Sequence, residues 1–297
     1  RLGRRARGRR RYTRAAMTAP TIAQLLDDAR AALQGRVEDP AREAEYLLAG
    51  VLGVGRATLL ARDDASTTPP EATRFAGLVA RRAAGEPAAY LLGRRAFWTL
   101  ELDVSPDVLV PRHETELLVE LALEALVGRL APRVLDLGTG SGAVGLAIAA
   151  ERRDAHVALV DVDPAALAVA TRNRDRLGLA HVECVAGSWY APVAGRRFDA
   201  IVSNPPYLAA DDPHLAGHEL RHEPRGALVA GRTGLEAIAA IAAGARDHLA
   251  PRGRLLVEHG AAQGADARAL FVAAGLEGVA LRADLARLDR VTLGHAP

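Results

Sequence analysis

Two short runs hold the residues best suited to chemistry. The first is Ser203-Asn204-Pro205-Pro206-Tyr207, directly after the apolar run Phe198-Asp199-Ala200-Ile201-Val202. Paired prolines fix two φ angles and remove two backbone donors, which leaves carbonyls free to point at a ligand. Asn204 brings an amide oxygen, Pro205 a carbonyl and Tyr207 an aromatic face. This set suits a flat NH2 group on a conjugated system: two acceptors take its hydrogens while the ring stacks on its plane. The second run is Val134-Leu135-Asp136-Leu137-Gly138-Thr139-Gly140-Ser141-Gly142. Glycines are needed where a backbone turns sharply and approaches a ligand too closely for a Cβ. Nineteen residues past Gly142, another apolar run ends in Asp161, an acid suited to accept hydrogen bonds from a ribose diol.

The glycine loop alone admits more than one ligand. Gly140, Gly142 and Gly145 also fit a dinucleotide G-x-G-x-x-G pattern, and a tight turn without any ligand is a further reading. Two features favour S-adenosylmethionine over a nicotinamide cofactor. Asp136-x-Gly138-x-Gly140-x-Gly142 resembles the loop of adenosylmethionine-dependent methyltransferases, and a nicotinamide enzyme would not need the Asn-Pro-Pro-Tyr run. An amide nitrogen is a poor nucleophile because its lone pair is delocalised, a resonance whose scale is the rotation barrier of roughly 18–20 kcal/mol. Two acceptors drawing on the N–H bonds favour a more pyramidal nitrogen as it attacks a sulfonium methyl. In-line positioning can supply up to about 7–11 kcal/mol more. The pattern calls for no metal and no general base, since the proton can leave after transfer.

Both runs need strand ends to position them. Residues 133–137, 156–161, 182–186, 198–203, 254–258, a segment near Val279 and 290–293 read as strands, most of them separated by helical stretches. This alternation predicts a doubly wound α/β domain over residues 111–297. Residues 17–95 read instead as short helices. Thr21 and Gln24 make a capping box, Asp39-Pro40 opens a second helix, and Thr68 to Glu71 repeats the capping pattern. Between the two, residues 97–104 alternate, Ser105-Pro106-Asp107 turns and Val108-Leu109-Val110 returns, which predicts a β-hairpin linker over 96–110.

Composition excludes several classes. With 297 residues, 49% of them hydrophobic, the chain is not an unstructured polymer. No apolar run approaches the roughly 18 residues of a membrane span, and a cytoplasmic location is expected. A single cysteine, Cys184, rules out a disulfide framework and a cysteine-based zinc site. The net charge of +2 hides an asymmetry: residues 1–16 carry eight arginines and no acid, and the remainder counts 30 basic against 36 acidic side chains. That basic segment is expected to be disordered or a non-native start, with an RNA-binding arm or a transit peptide as the other readings. The acidic body argues against a protein that grips a polyanion along a broad surface. His214, His218 and His222 have helical spacing but no acid or cysteine cluster beside them, so no metal site is expected.

The wider sequence resembles the HemK/PrmC family, the peptide chain release factor glutamine N5-methyltransferases. The residues that carry this are Asn204-Pro205-Pro206-Tyr207, the 136–142 loop, Gly85-Glu86-Pro87, Phe97-Trp98, Val110-Pro111-Arg112 with Glu114-Thr115-Glu116, Glu223-Pro224 and Arg290-Val291-Thr292-Leu293-Gly294. The resemblance implies a class I methyltransferase fold, a Rossmann-like seven-stranded mixed sheet, with a helical N-terminal domain that helps to dock the release factor. It implies that Gly138, Thr139, Gly140, Ser141 and Gly142 line the methionine part of S-adenosylmethionine, that Asp161 binds the ribose and that Trp189 lies beside the adenine. Asn204 then sits between cofactor and substrate, and Asn204, Pro205, Pro206 and Tyr207 clamp the glutamine of a Gly-Gly-Gln loop. The sequence departs from the family pattern at Ser188, where relatives carry Asp, and at His113, where they carry Pro. The expected protein is a monomer that tunes translation termination and binds no nucleic acid stably. A DNA or RNA amino-methyltransferase is the alternative, because the same clamp suits an adenine NH2.

Overall fold

The computed structural model describes residues 19–217 and 220–297. The arginine-rich segment 1–16 and His218 therefore lie outside the described residues. The chain divides into two compact units between Ala83 and Ala84.

The first unit is helical. In α1 (Ile22–Leu33) Thr21 accepts the Gln24 N–H at 3.3 Å and the Gln24 side chain accepts the Thr21 N–H at 3.0 Å. In α2 (Pro40–Leu52) Asp39 accepts the Arg42 N–H, and Gly53, with φ +66°, ends the helix. A short α3 (Arg56–Leu60) and α4 (Pro69–Ala83) complete it. Leu26 and Leu33 of α1, Leu47 and Leu48 of α2, and Phe75 of α4 are buried, each on the apolar stripe of its helix.

The second unit opens with α5 (Ala88–Leu92), β1 (Arg94–Phe97) and β2 (Leu100–Asp103). It begins twelve residues before the expected boundary at 95. Tyr90 of α5 explains this, since its ring packs with Val104, Val108 and Ala166 and its hydroxyl donates to the Val108 carbonyl at 2.5 Å. The hairpin itself is a correction. Its strands pair Arg94 with Asp103 and Phe97 with Leu100, so the turn is Trp98-Thr99, and 104–110 forms no strand. Trp98 adopts φ +54°, an uncommon conformation for a bulky residue. The Glu116 carboxylate accepts its backbone N–H at 2.9 Å and Glu151 accepts its indole N–H at 2.8 Å. Ser105 does begin a turn, but the Val110 N–H goes to Glu223 rather than back to β2.

Then follow α6 (Glu116–Ala125), β3 (Arg133–Leu137), α7 (Ala143–Glu151), β4 (His156–Asp161), α8 (Pro164–Arg176), β5 (Glu183–Ala186) and β6 (Phe198–Ser203). After a small parallel pair, β7 (Leu208–Ala209) with β8 (Val229–Gly231), come α9 (Glu236–His248), β9 (Leu249–Glu258), α10 (Gly264–Ala273), β10 (Glu277–Ala283) and β11 (Asp289–His295). Seven strands form one sheet in the order β10-β11-β9-β6-β3-β4-β5, parallel except for β11, which runs antiparallel to both neighbours. The central strands read as unbroken apolar runs because both faces are covered. Val134 and Val157 pack with α6 and α7 on one face, whereas Leu135 and Ala158 pack with α9 and α10 on the other.

Candidate active site

From β3 the chain winds to β4 and β5 on one side of the sheet, then returns to place β6 on the other side of β3. Such a reversal opens a crevice at the carboxyl ends of the strands. A cavity of about 370 Å³ occupies it. Of the residues expected from the sequence, Gly138, Thr139, Gly140, Ser141, Asp161, Trp189, Asn204 and Pro206 line this cavity, together with Ser188. Gly142, Pro205 and Tyr207 are not among the lining residues. Gly142 is the N-cap of α7, with φ +84°. Pro205 is buried, and Tyr207 is half-buried with its carbonyl accepting from Gln263 Nε2 at 2.9 Å. Burial, with the nearby Glu258 charge, pushes the Tyr207 hydroxyl up to about 12.

The glycine loop is held by two acids. Asp136, at the end of β3, is fully buried, and burial pushes its pKa up to about 6. The Thr139 hydroxyl donates to it at 2.6 Å and the Gly145 N–H at 3.0 Å, and both pull the other way. Asp161, at the end of β4, accepts the Gly140 N–H on one oxygen at 2.8 Å and the Asp163 N–H on the other at 2.9 Å. Each carboxylate oxygen retains a further lone pair. Desolvation raises the Asp161 pKa, against those two backbone donors. Gly138 turns with φ +67°, and a Cβ there would lie 3.7 Å from the Trp189 indole, so glycine keeps the cavity floor open.

The facing wall comes from β6 and the segment before α6. The Ser203 hydroxyl donates to the Leu137 carbonyl at 2.6 Å and ties the end of β6 to β3. Asn204 follows, its Nδ2 donating to Thr115 Oγ1 at 3.1 Å while its buried Oδ1 has no partner. Behind Thr115 lies Glu258, the last residue of β9, only 1% exposed, with Oε2 also unpartnered. Burial pushes Glu258 up to about 7, opposed by hydrogen bonding to Thr115 and by the Arg290 and Arg112 charges. Arg112 pairs with the buried Glu223 carboxylate, which also accepts the Val110 N–H at 3.2 Å. That pairing braces Pro224, Gly226 and Ala227, which close the cavity on this side.

The sequence reading assigned no role to Thr115 or Glu258. Thr115 lay within the quoted 114–116 run, and Glu258 stands at a strand's carboxyl end, where ligands of such sheets gather. Nothing local signals that the two meet. His113, the other departure, is exposed and starts the single 3-10 turn that leads into α6. Among the described residues no group of three or more His, Cys, Asp or Glu could hold a metal ion, and no helix is long and apolar enough to cross a membrane.

Comparison with known proteins agrees with this architecture. Residues 24–93 match the PrmC N-terminal domain and residues 113–232 the methyltransferase small domain. Among solved structures, the hMettl16 catalytic domain in complex with MAT2A 3'UTR hairpin 1 superposes with TM-score 0.55 at 18% identity, over 77% of this chain and 81% of that one, a likeness of fold. A release factor glutamine methyltransferase of Bordetella pertussis is 51% identical, covering 86% of this chain and 95% of its own length. That of Xylella fastidiosa strain Temecula1 is 50% identical (86% and 93%), and that of Escherichia coli K12 43% identical (87% and 93%). With identity this high over nearly the whole length of these relatives, the chain belongs to the release factor glutamine methyltransferase family.

Proposed function

We propose that this chain transfers a methyl group from S-adenosylmethionine to the side-chain amide nitrogen (N5) of the glutamine in the Gly-Gly-Gln motif of peptide chain release factors. The observation that carries this reading is Asn204 Oδ1, a buried acceptor with no partner at the cavity wall. Such an atom is costly unless an incoming donor completes it. The names of the family's members support the choice of substrate.

The residues present fit the cofactor. The Gly138 turn leaves space that a Cβ would fill, Asp161 keeps a free lone pair on each oxygen for a ribose diol, and Trp189 offers an apolar wall for adenine. When bound, S-adenosylmethionine supplies an electrophilic methyl on sulfonium. The chain's own residues then hold the nucleophile. Asn204 Oδ1 and the Pro205 carbonyl accept the two amide hydrogens, with Pro206 and Tyr207 completing the clamp. Held this way, the amide nitrogen would face that methyl, and one amide proton would leave after transfer. The helices of the first unit serve to dock the release factor, and the protein works as a cytoplasmic monomer with no stable grip on nucleic acid.

The test incubates the full chain and methyl-labelled S-adenosylmethionine with a release factor, its Gln→Ala loop variant and unmethylated DNA in parallel. Label on the release factor alone, lost in the variant, is the expected result. Label on DNA with none on the release factor would replace this reading with the amino-methylation of nucleic acid.

A further inference from the structure

Between β6 and α9 the chain makes a long excursion from the sheet, which supplies Asn204, Pro206, Pro224, Gly226 and Ala227 to the cavity wall. Its first residues, Asn204 to Tyr207, are stiff, because each proline ring holds φ near −65°. A stiff run is placed by its two ends. At the first end the Ser203 hydroxyl donates to the Leu137 carbonyl of β3 at 2.6 Å. At the far end the Leu208 N–H donates to the Leu228 carbonyl at 2.9 Å, but that partner belongs to the same excursion. A fixed far end needs a partner from outside it.

Gln263 is such a partner. It ends the 3-10 turn that follows β9, the strand paired with β6. Its Oε1 accepts the Gly260 N–H at 2.9 Å, while its Nε2 donates to the Tyr207 carbonyl at 2.9 Å and to the Gly234 carbonyl at 3.3 Å. All three partners are main-chain groups that can only donate or only accept, so the carboxamide has one orientation. Turned over, it would set an NH2 group against an N–H and an oxygen against two carbonyls. Capping the turn after β9 needs only the oxygen, and a carboxylate would serve it as well. The two donated bonds reach 56 and 29 residues back along the chain, and capping does not account for them. Gly234 bears on the same carbonyl. It has φ +80°, and a Cβ there would lie 2.5 Å from the Tyr207 carbonyl oxygen and 3.0 Å from Gln263 Nε2. A side chain at that position would push the carbonyl aside.

We propose that Gln263 is a positioning residue for methyl transfer: its NH2 group pins the Tyr207 carbonyl and so sets the far end of the Asn204–Tyr207 clamp against the sheet. Gly234 leaves the room for that contact. The proposal rests on the methyl-transfer reading above. The tie places the substrate amide and not the cofactor, since neither Gln263 nor Gly234 lines the cavity and the glycine loop and Asp161 stand at β3 and β4.

The test compares wild type, Gln263→Glu, Gln263→Leu and Gly234→Ala in the full chain, with cofactor affinity by calorimetry beside kcat and KM for a release factor. If wild type leaves the release-factor glutamine unlabelled, the methyl-transfer reading fails and this proposal with it. If it labels, Gln263→Glu is the deciding variant, because it keeps an oxygen for the Gly260 N–H and turns both donated bonds into repulsions. It should lower kcat about tenfold or more, with release-factor KM and cofactor Kd within about threefold. Gln263→Leu should show the same split, and so should Gly234→Ala, which crowds the same carbonyl. Any of the three turning over like wild type would overturn the tie. So would a rise in release-factor KM or cofactor Kd as large as the fall in kcat, the mark of a general loosening. Should Gln263→Leu or Gly234→Ala fail to fold, Gln263→Glu alone decides.

Discussion

At the ends of β3 and β4 the chain satisfies its own buried acids: Asp136 takes the Thr139 hydroxyl and the Gly145 N–H, and Asp161 takes the Gly140 and Asp163 N–H groups. At the ends of β6 and β9, Asn204 Oδ1 on the facing wall of the cavity and Glu258 Oε2 are buried with no partner. The first wall is complete without a ligand, so its shape is fixed beforehand and binding costs little ordering. The second wall carries an unmet acceptor, which only a donor of the right geometry can satisfy. A preformed wall suits a small cofactor, and an incomplete one suits a substrate whose amide must be held during reaction.

The comparison breaks most visibly at Asn204. Asn204→Ala should cut kcat by about 10²–10³-fold, a loss of about 3–4 kcal/mol for one transition-state hydrogen-bonding group, with cofactor affinity within a few-fold. Single-turnover methylation and calorimetry measure the two separately, and unchanged turnover would remove the clamp from the mechanism. Asp161→Ala should do the reverse. Hydrogen bonds to a charged group are worth about 1.5–3 kcal/mol, so cofactor Kd should rise roughly 10–100-fold. Calorimetry that finds the same affinity would detach Asp161 from the ribose.

Smaller effects sharpen the contrast. Glu258 is raised from 4.5 to about 7 in the folded chain, among Thr115, Arg290, Glu114, Arg112 and Tyr207. The unfolded chain therefore releases this proton first, and the carboxyl group erodes stability as pH rises from about 4.5 to about 7. Glu258→Gln removes that slope, and between pH 5 and 8 it should gain roughly 2 kcal/mol on wild type. Thermal melts across pH check this, and parallel curves would contradict it. Last, Gly138→Ala places a Cβ at φ +67° in ordinary contact with Trp189. Left-handed strain of about 1 kcal/mol should lower the melting temperature by roughly 2–4 °C, as calorimetric scans would show.

Several features were legible in the sequence alone. β3, β4 and β6 run over the residues expected of them, α1 and α2 open at the caps read at Thr21 and Asp39, and residues 138–141 share one crevice with Asn204 and Pro206. These are determined by near neighbours: apolar runs, capping side chains and glycine or proline turns act within a few residues. The hairpin turn was not legible, because Trp98-Thr99 contains no turn-forming residue and its conformation is held by Glu116 and Glu151 from elsewhere in the chain. The unit boundary at Ala83 was likewise decided by Tyr90 reaching Val108. The same holds for the wall that carries Asn204. Thr115 is 89 residues from Asn204, and Glu258 arrives from a strand laid beside β6 only by the order of the sheet. Local sequence determined the strands, the glycine cradle and the clamp residues. The tertiary structure alone decided which polar atom of Asn204 is left without a partner, because its carboxamide meets Thr115 from a segment distant in sequence.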